Sequence, residues 1–233
     1  MNKPLANDII TYREMCEREG VQTLQRGMNF HLSAGVSVVL MSRRHNAPYP
    51  DRVEDGGRVI IYEGHDSPRC SDIPDPKSID QPDTNPSGSL TQNGLFHKAA
   101  QNHKDGIGHA ELVRVYEKIM NGVWAFNGVF TLADSGLETR GRRKVFKFRL
   151  EMAEEPSDRD AGLVKLEHAR VIPSSVKAEV WRRDHGRCVK CGRTDNLHFD
   201  HIIPYSKGGT SLDASNIQLL CARHNVAKRD KIE

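Results

Sequence analysis

The sequence predicts an α+β protein in two unequal parts, a strand-rich body followed by a small C-terminal module braced by a metal ion. Three observations carry that expectation. Short β-branched runs bounded by glycine recur across the middle of the chain, an acidic stretch containing Pro156 interrupts them, and beyond it cysteines and histidines stand at metal-ligand spacing. With 233 residues and 37% hydrophobic content, the chain has material for one large domain or two smaller ones.

Residues 1–30 read as helical, because "NDIITYREMCERE" sets Ile9, Tyr12, Met15 and Cys16 on roughly one face. That face is expected to pack on the body or on a second subunit, with Cys16 a small core residue. From about Gly35 to Met152 the pattern turns to strands: "GVSVVLMS", "GRVIIYEG", "GVWAFNGVF" and "KVFKFRLEM". Strict alternation in the third puts Trp124, Phe126 and Phe130 on one face, and in the fourth Phe146, Phe148 and Leu150 oppose Lys147, Arg149 and Glu151. Between the second and third strands, "HDSPRCSDIPDPKSIDQPDTNPSGS" has five prolines and no periodicity, which predicts an ordered surface excursion or a mobile loop. Cys70, within it, is assigned no chemistry. A helix is expected over "LTQNGLFHKAAQN". The acidic "EMAEEPSDRDAG" reads as a linker, giving a first domain over 1–152, a linker over 153–172 and a second domain over 173–233. That second domain opens on an amphipathic helix, "IPSSVKAEVWRRDHGRC", capped by Ser174 or Ser175.

Charge and composition narrow the partners. The net charge is +3, but from Arg170 onward 12 Lys/Arg face 7 Asp/Glu, whereas the preceding residues hold 22 against 24. A basic tail on a near-neutral body points to a polyanion. The longest apolar run, Gly35 to Met41, is too short to cross a bilayer, so no membrane partner is expected. No charged-then-apolar leader is read at the N-terminus. Five cysteines, three of them in the last fifty residues beside histidines, favour metal binding in a reducing, cytoplasmic setting over a disulfide scaffold.

Cys188-x-x-Cys191 and Cys221-x-x-His224 are two ligand pairs about thirty residues apart. Zinc takes four thiolate or imidazole ligands in a tetrahedron, and a two-residue gap lets both members of a pair reach one ion. Four protein ligands leave no open position, so the ion is structural. A segment this small needs such a staple. Between the pairs, "HFDHIIPYSKGGTSLDASNIQLL" reads as strand, turn, strand, then a helix carrying the second pair.

Residues 175–231 closely resemble the HNH endonucleases, the ββα-metal nucleases, in their zinc-braced form. The resemblance implies that His201 is the general base, that Asp200 and Asn225 hold one catalytic divalent ion, magnesium or manganese, and that Asn216 braces the loop and orients His201. The chemistry is coherent: phosphodiester cleavage needs an activated water and neutralised charge on the leaving oxygen, which an imidazole and one hard cation supply. Neighbouring strand residues point to opposite faces, so using both Asp200 and His201 on one phosphate requires a bend, and Pro204 follows shortly. Where many family members have a histidine this chain has Asn225; alternatively His224 serves the catalytic ion and zinc keeps three cysteines. Lys207, Lys228 and Arg229 are candidate contacts to the DNA backbone. His198 either joins the site or fills the strand.

The body, about residues 25–152, resembles the SRA (SET-and-RING-associated) domain, through "PYPDRVEDGGRVIIYEGHD", "LTQNGLFHKAA" and "LVRVYEKIMNGVWAFNGVFTL". That resemblance implies a curved β-barrel-like fold that flips 5-methylcytosine out of duplex DNA into a pocket. The matching pocket positions are Tyr49, Asp51 and Tyr62, followed by Glu63 and Gly64 where the family has small or hydroxyl residues. Two rings stack a cytosine and a carboxylate accepts from its amino group. A buried methyl contributes only about 0.8 kcal/mol, so discrimination has to come from pocket shape and closure. The basic run "RGRRKVFKFR" from Arg140 is a candidate DNA grip or an ordinary exposed hairpin. Together the resemblances imply a modification-dependent restriction endonuclease acting on double-stranded DNA, paired as a homodimer to break both strands. Two other readings stay open: an HNH nuclease with an unrelated β domain and no methylation dependence, and a methyl-DNA-binding protein that does not cut.

Overall fold

The structure is a computed structural model that describes residues 6–33, 35–44, 46–153, 171–229 and 231–232. Its elements run β1 (Asp8–Ile10), α1 (Tyr12–Arg18), β2 (Met28–Ser33), β3 (Val36–Met41), β4 (Arg52–Glu54), β5 (Val59–Glu63), α2 (Gln92–Lys104), β6 (Leu112–Met120), β7 (Val123–Arg140) and β8 (Arg143–Met152), then α3 (Ser174–Arg183), β9 (Leu197–His201), β10 (Ile217–Cys221) and α4 (Ala222–Lys228). The α+β class holds among the described residues.

The long strand β7 organises the body. Its first half pairs with β1 and β6, and its second half, from Phe130, pairs with β8. Two arms of sheet, β6-β3-β2 and β8-β5-β4, are therefore joined along one strand. Met28, Val39, Val115, Ile60, Phe148 and Leu150 from both arms meet in one core, closed by Phe96 and Ala100 of α2. Thr91 caps α2 by accepting from the Gly94 amide at 3.2 Å. The proline-containing excursion carries one short 3-10 turn, Pro76–Ser78, and is sewn to β8 where Gln81 and Asp80 bond the Phe146 and Lys144 amides.

Three sequence-level expectations change. Residues 8–10 form a strand, not the start of a helix: β1 pairs antiparallel with β7 on one side and β9 on the other, and α1 begins only after the Thr11–Glu14 capping box. Trp124 and Phe126 pack with Met15, Cys16 and Tyr116, whereas Phe130 lies in the body core. The cause is a bulge: Val115 pairs with Gly128 and Tyr116 with Phe126, leaving Asn127 as an extra residue. Ser174 does not cap α3, whose N-cap is Pro173; its hydroxyl donates instead to Glu117 of β6. Most of the expected linker, 154–170, falls outside the described residues.

One sheet runs through both parts, in the order β10-β9-β1-β7-β6-β3-β2. The second core, Ile172, Val176, Val180, Phe199 and Leu219 among its members, lies between α3 and the β9–β10 hairpin, with Ile9 of β1 packed against it.

Candidate active site

Cys188 and Cys191 sit in the knuckle after α3, Cys221 ends β10, and His224 lies in the first turn of α4. Their ligand atoms all lie within 4.8 Å of one another. Cys191 and Cys221 Sγ are 3.8 Å apart, and His224 Nδ1 is 3.3 Å from Cys188 Sγ and 3.4 Å from Cys221 Sγ. Zinc–sulfur bonds of about 2.3 Å span tetrahedral edges of about 3.8 Å, so these three separations suit donors sharing one zinc ion. Burial pushes the Cys188 thiol up, but hydrogen bonds from the backbone at Cys221, Lys190 and Cys191 and from His224 outweigh it and bring it down to about 6, towards the thiolate that a metal needs. His224 stands with the cysteines.

β9 ends on Asp200 and His201, paired in register with Gln218 and Ile217 of β10. His201 Nε2 is 2.8 Å from Ser211 Oγ. Burial, helped by the Lys228 charge, lowers the His201 imidazole to about 4, so the ring is neutral near pH 7. The loop between them is held by Asn216: its Oδ1 accepts from the Ile203 amide at 2.8 Å, and its Nδ2 donates to the Ile203 and Thr210 carbonyls at 3.1 and 3.0 Å. Gly209 makes that closeness possible, since a Cβ there would lie 1.8 Å from the Ile203 carbonyl oxygen.

Lys228 is not where the sequence reading put it. It is buried, with Nζ donating to the His201 carbonyl at 2.6 Å and lying 3.1 Å from Asp200 Oδ2. A DNA phosphate does not reach it; Lys207 and Arg229 are exposed. Gln218 Nε2 donates to the same Asp200 oxygen at 3.3 Å. Asn225 is half-buried, one turn before Lys228 on α4. The carboxylate of Asp200 and amide oxygen of Asn225 are the hard donors that magnesium or manganese takes. His198 belongs elsewhere: its Nδ1 lies 2.6 Å from Asp8 Oδ1 of β1.

In the body, a cleft of about 310 Å³ is lined by Arg43, Arg44, Pro48, Tyr49, Asp51 and Arg140 among others. Tyr49 stacks on His65 at 4.9 Å with the planes 8° apart, and Lys77 Nζ lies 5.0 Å from the Tyr49 ring centre. Asp51 Oδ1 accepts from the Glu63 amide at 3.0 Å. Burial raises Asp51 to about 7, against the hydrogen bonds from the Glu63 and Ser42 amides.

The other three expected pocket residues do not line the cleft. Tyr62 is 2% exposed, with its hydroxyl 2.9 Å from His65 Nε2 and donating toward the Gly27 and Leu40 carbonyls, because alternation along β5 turns it into the core. Glu63 is fully buried and neutralised by Lys147 at 2.6 Å, Arg140 at 3.2 Å and Arg143 at 3.8 Å. These cations come from the basic run, which therefore serves Glu63 in part. Gly64 is a packing glycine: a Cβ there would come within 2.9 Å of Asn93, Gln81 and Phe146. Sequence reasoning missed His65, although it stands in the quoted "YEGHD", and Ser211, which no spacing marks.

The sequence model of the HNH endonuclease family matches residues 188–231. No curated protein matches the chain. Among solved structures, the SRA domain of SUVH5 in complex with hemimethylated CG DNA is 20% identical over 66% of this chain and 91% of that chain, with a TM-score of 0.44. The modification-dependent TagI restriction endonuclease is 19% identical over 97% of this chain and 78% of that one, TM-score 0.39. The Type IV phosphorothioation-dependent restriction endonuclease ScoMcrA is 15% identical over 98% and 56%, TM-score 0.43. No described helix is long and apolar enough to cross a membrane.

Proposed function

We propose that this chain is a modification-dependent DNA endonuclease: the body receives a 5-modified cytosine flipped from duplex DNA, and the HNH domain hydrolyses a phosphodiester bond nearby. The observation that carries the nuclease half is the end of β9, where Asp200 and His201 stand inside the segment matching the HNH family. When Ser211 accepts the His201 Nε2 proton, Nδ1 keeps the lone pair that takes a proton from water. Ser211 and Asn216 hold that ring and its loop in place. Asp200 and Asn225 hold the divalent ion, magnesium or manganese, which when bound neutralises charge on the phosphate. Lys228 positions the His201 carbonyl and the Asp200 carboxylate from below. The Cys188–Cys191–Cys221–His224 zinc is structural.

The reader half rests on the sequence resemblance to SRA domains and on the cleft at Tyr49 and Asp51. The Asp51 carboxyl accepts from the cytosine amino group, and Arg43, Arg44 and Arg140 at the rim favour the backbone beside it. One HNH site cuts one strand, so two copies act together on a duplex. One observation favours a nuclease without a reading function: Tyr49 is already engaged by His65 and Lys77, so an incoming base has to displace one of them.

The test offers duplexes with plain, methylated or hydroxymethylated cytosine in magnesium or manganese. Cutting confined to modified duplexes, lost in His201→Ala while binding persists, is expected. Equal cutting of all three removes the reader, and a fully active His201→Ala removes the assigned base.

A further inference from the structure

Between the body and the HNH domain lies a buried polar network that neither site uses. Lys177 of α3 and Glu117 of β6 are both fully buried, with Nζ 2.8 Å from Oε2. Lys177 also donates to Asn127 Oδ1 at 2.6 Å, Asn127 Nδ2 donates to Glu117 at 3.1 Å, and Ser174 donates to the other Glu117 oxygen. Asn127 is the extra residue of the β7 bulge, a device that re-aims a side chain, here into the network. The chain entering α3 is pinned on both sides: Val171 belongs to the body core and Ile172 to the HNH core. The network also reaches toward the cleft. Asn127 lies 3.7 Å from Met41 Sδ at the end of β3, and Ser42 and Arg43 follow, the one bonding Asp51 and the other lining the cleft.

From this arrangement we infer that Lys177, Glu117 and Asn127 are positioning residues that fix the distance between the modified base and the cut. Apolar surfaces alone tolerate sliding and repacking. A fully buried ammonium and carboxylate do not, because any shift of α3 along β6 leaves charge without a partner in a medium that screens it poorly. α3 packs on the β9–β10 hairpin, so its register against the body sets where Asp200 and His201 meet the DNA. The inference rests on the reading that the body holds the mark and the HNH domain cuts.

The experiment maps cut positions at nucleotide resolution on a duplex with a single modified cytosine. Wild-type protein is compared with the neutral pair Glu117→Gln/Lys177→Met, and with the milder Ser174→Ala. Wild type gives a narrow cluster of cuts. The double variant spreads that cluster several-fold while zinc content and affinity for the modified duplex stay as in wild type, and Ser174→Ala spreads it less. If the double variant fails to fold, Ser174→Ala decides alone. Mark-dependent cutting with wild-type cut positions in the variants that fold overturns the inference and leaves the functional reading intact. Wild-type cutting that ignores the mark overturns the reading, and the inference with it.

Discussion

Asp51 shows how a single residue makes the cleft testable. Its carboxyl sits near 7 in the folded protein, against an ordinary value of 3.8, because burial disfavours the anion. The folded state therefore holds this proton more tightly, and the stability it contributes is full below about 4 and lost as pH rises through 7. Asp51→Asn lacks that loss. Its melting temperature should gain on wild type by a few degrees between pH 5 and pH 8, and a difference independent of pH contradicts the assignment. Lys228 is the second case. Lys228→Met leaves the Asp200 carboxylate without its buried cation, and breaking such a pair costs about 3 kcal/mol, to be read from denaturant midpoints. A change below about 0.5 kcal/mol, the size expected of a surface lysine, contradicts the buried placement. The cluster of Cys188, Cys191, Cys221 and His224 was legible in the sequence because two-residue spacing is a local property. Lys228 and Tyr62 were not. "NVAKRD" reads as a basic surface, and only the packing of α4 on β9 turns one of its lysines inward.

At the scale of elements, the HNH hairpin and helix were legible and the loop between the strands was not. Its conformation depends on Asn216, whose side chain holds Ile203 and Thr210 together, and on the missing side chain of Gly209. Gly209→Ala should therefore abolish cutting while zinc content is retained. Normal cutting by that variant contradicts the close approach. Strands β3, β5, β7 and β8 followed from β-branched alternation, whereas β1 and β6 did not. Asp8–Ile10 is three residues long and exists by pairing with β7 and β9, which no local pattern encodes. β6 carries Glu117 at a fully buried position, so its alternation is masked by a charge that only Lys177 explains. The bulge at Asn127 likewise moved Phe130 off the face of Trp124, where strict period-two reading had placed it.

For the whole molecule, composition separated a body from a metal-braced module, and that division leaves out how they are joined. One sheet crosses from β10 to β2 through the short β1, whose partners lie far away in sequence. Stripping zinc should then act beyond the HNH domain. With the Cys188, Cys191, Cys221 and His224 staple gone, β9 loses its support and β1 one of its two neighbours. Chelation should lower the unfolding temperature by more than 10 °C, with body tryptophan Trp124 reporting the same transition as Trp181 of α3 in single-tryptophan variants. A Trp124 signal that ignores chelation contradicts mechanical continuity.

This chain, we propose, finds a modified cytosine and cuts beside it with His201. Initial cleavage rates on otherwise identical duplexes, with and without 5-methylcytosine, in magnesium and again in manganese, test it most directly. Cutting of the methylated duplex alone, absent in His201→Ala, is the predicted result; equal rates on both duplexes, or cutting that survives the substitution, would contradict it.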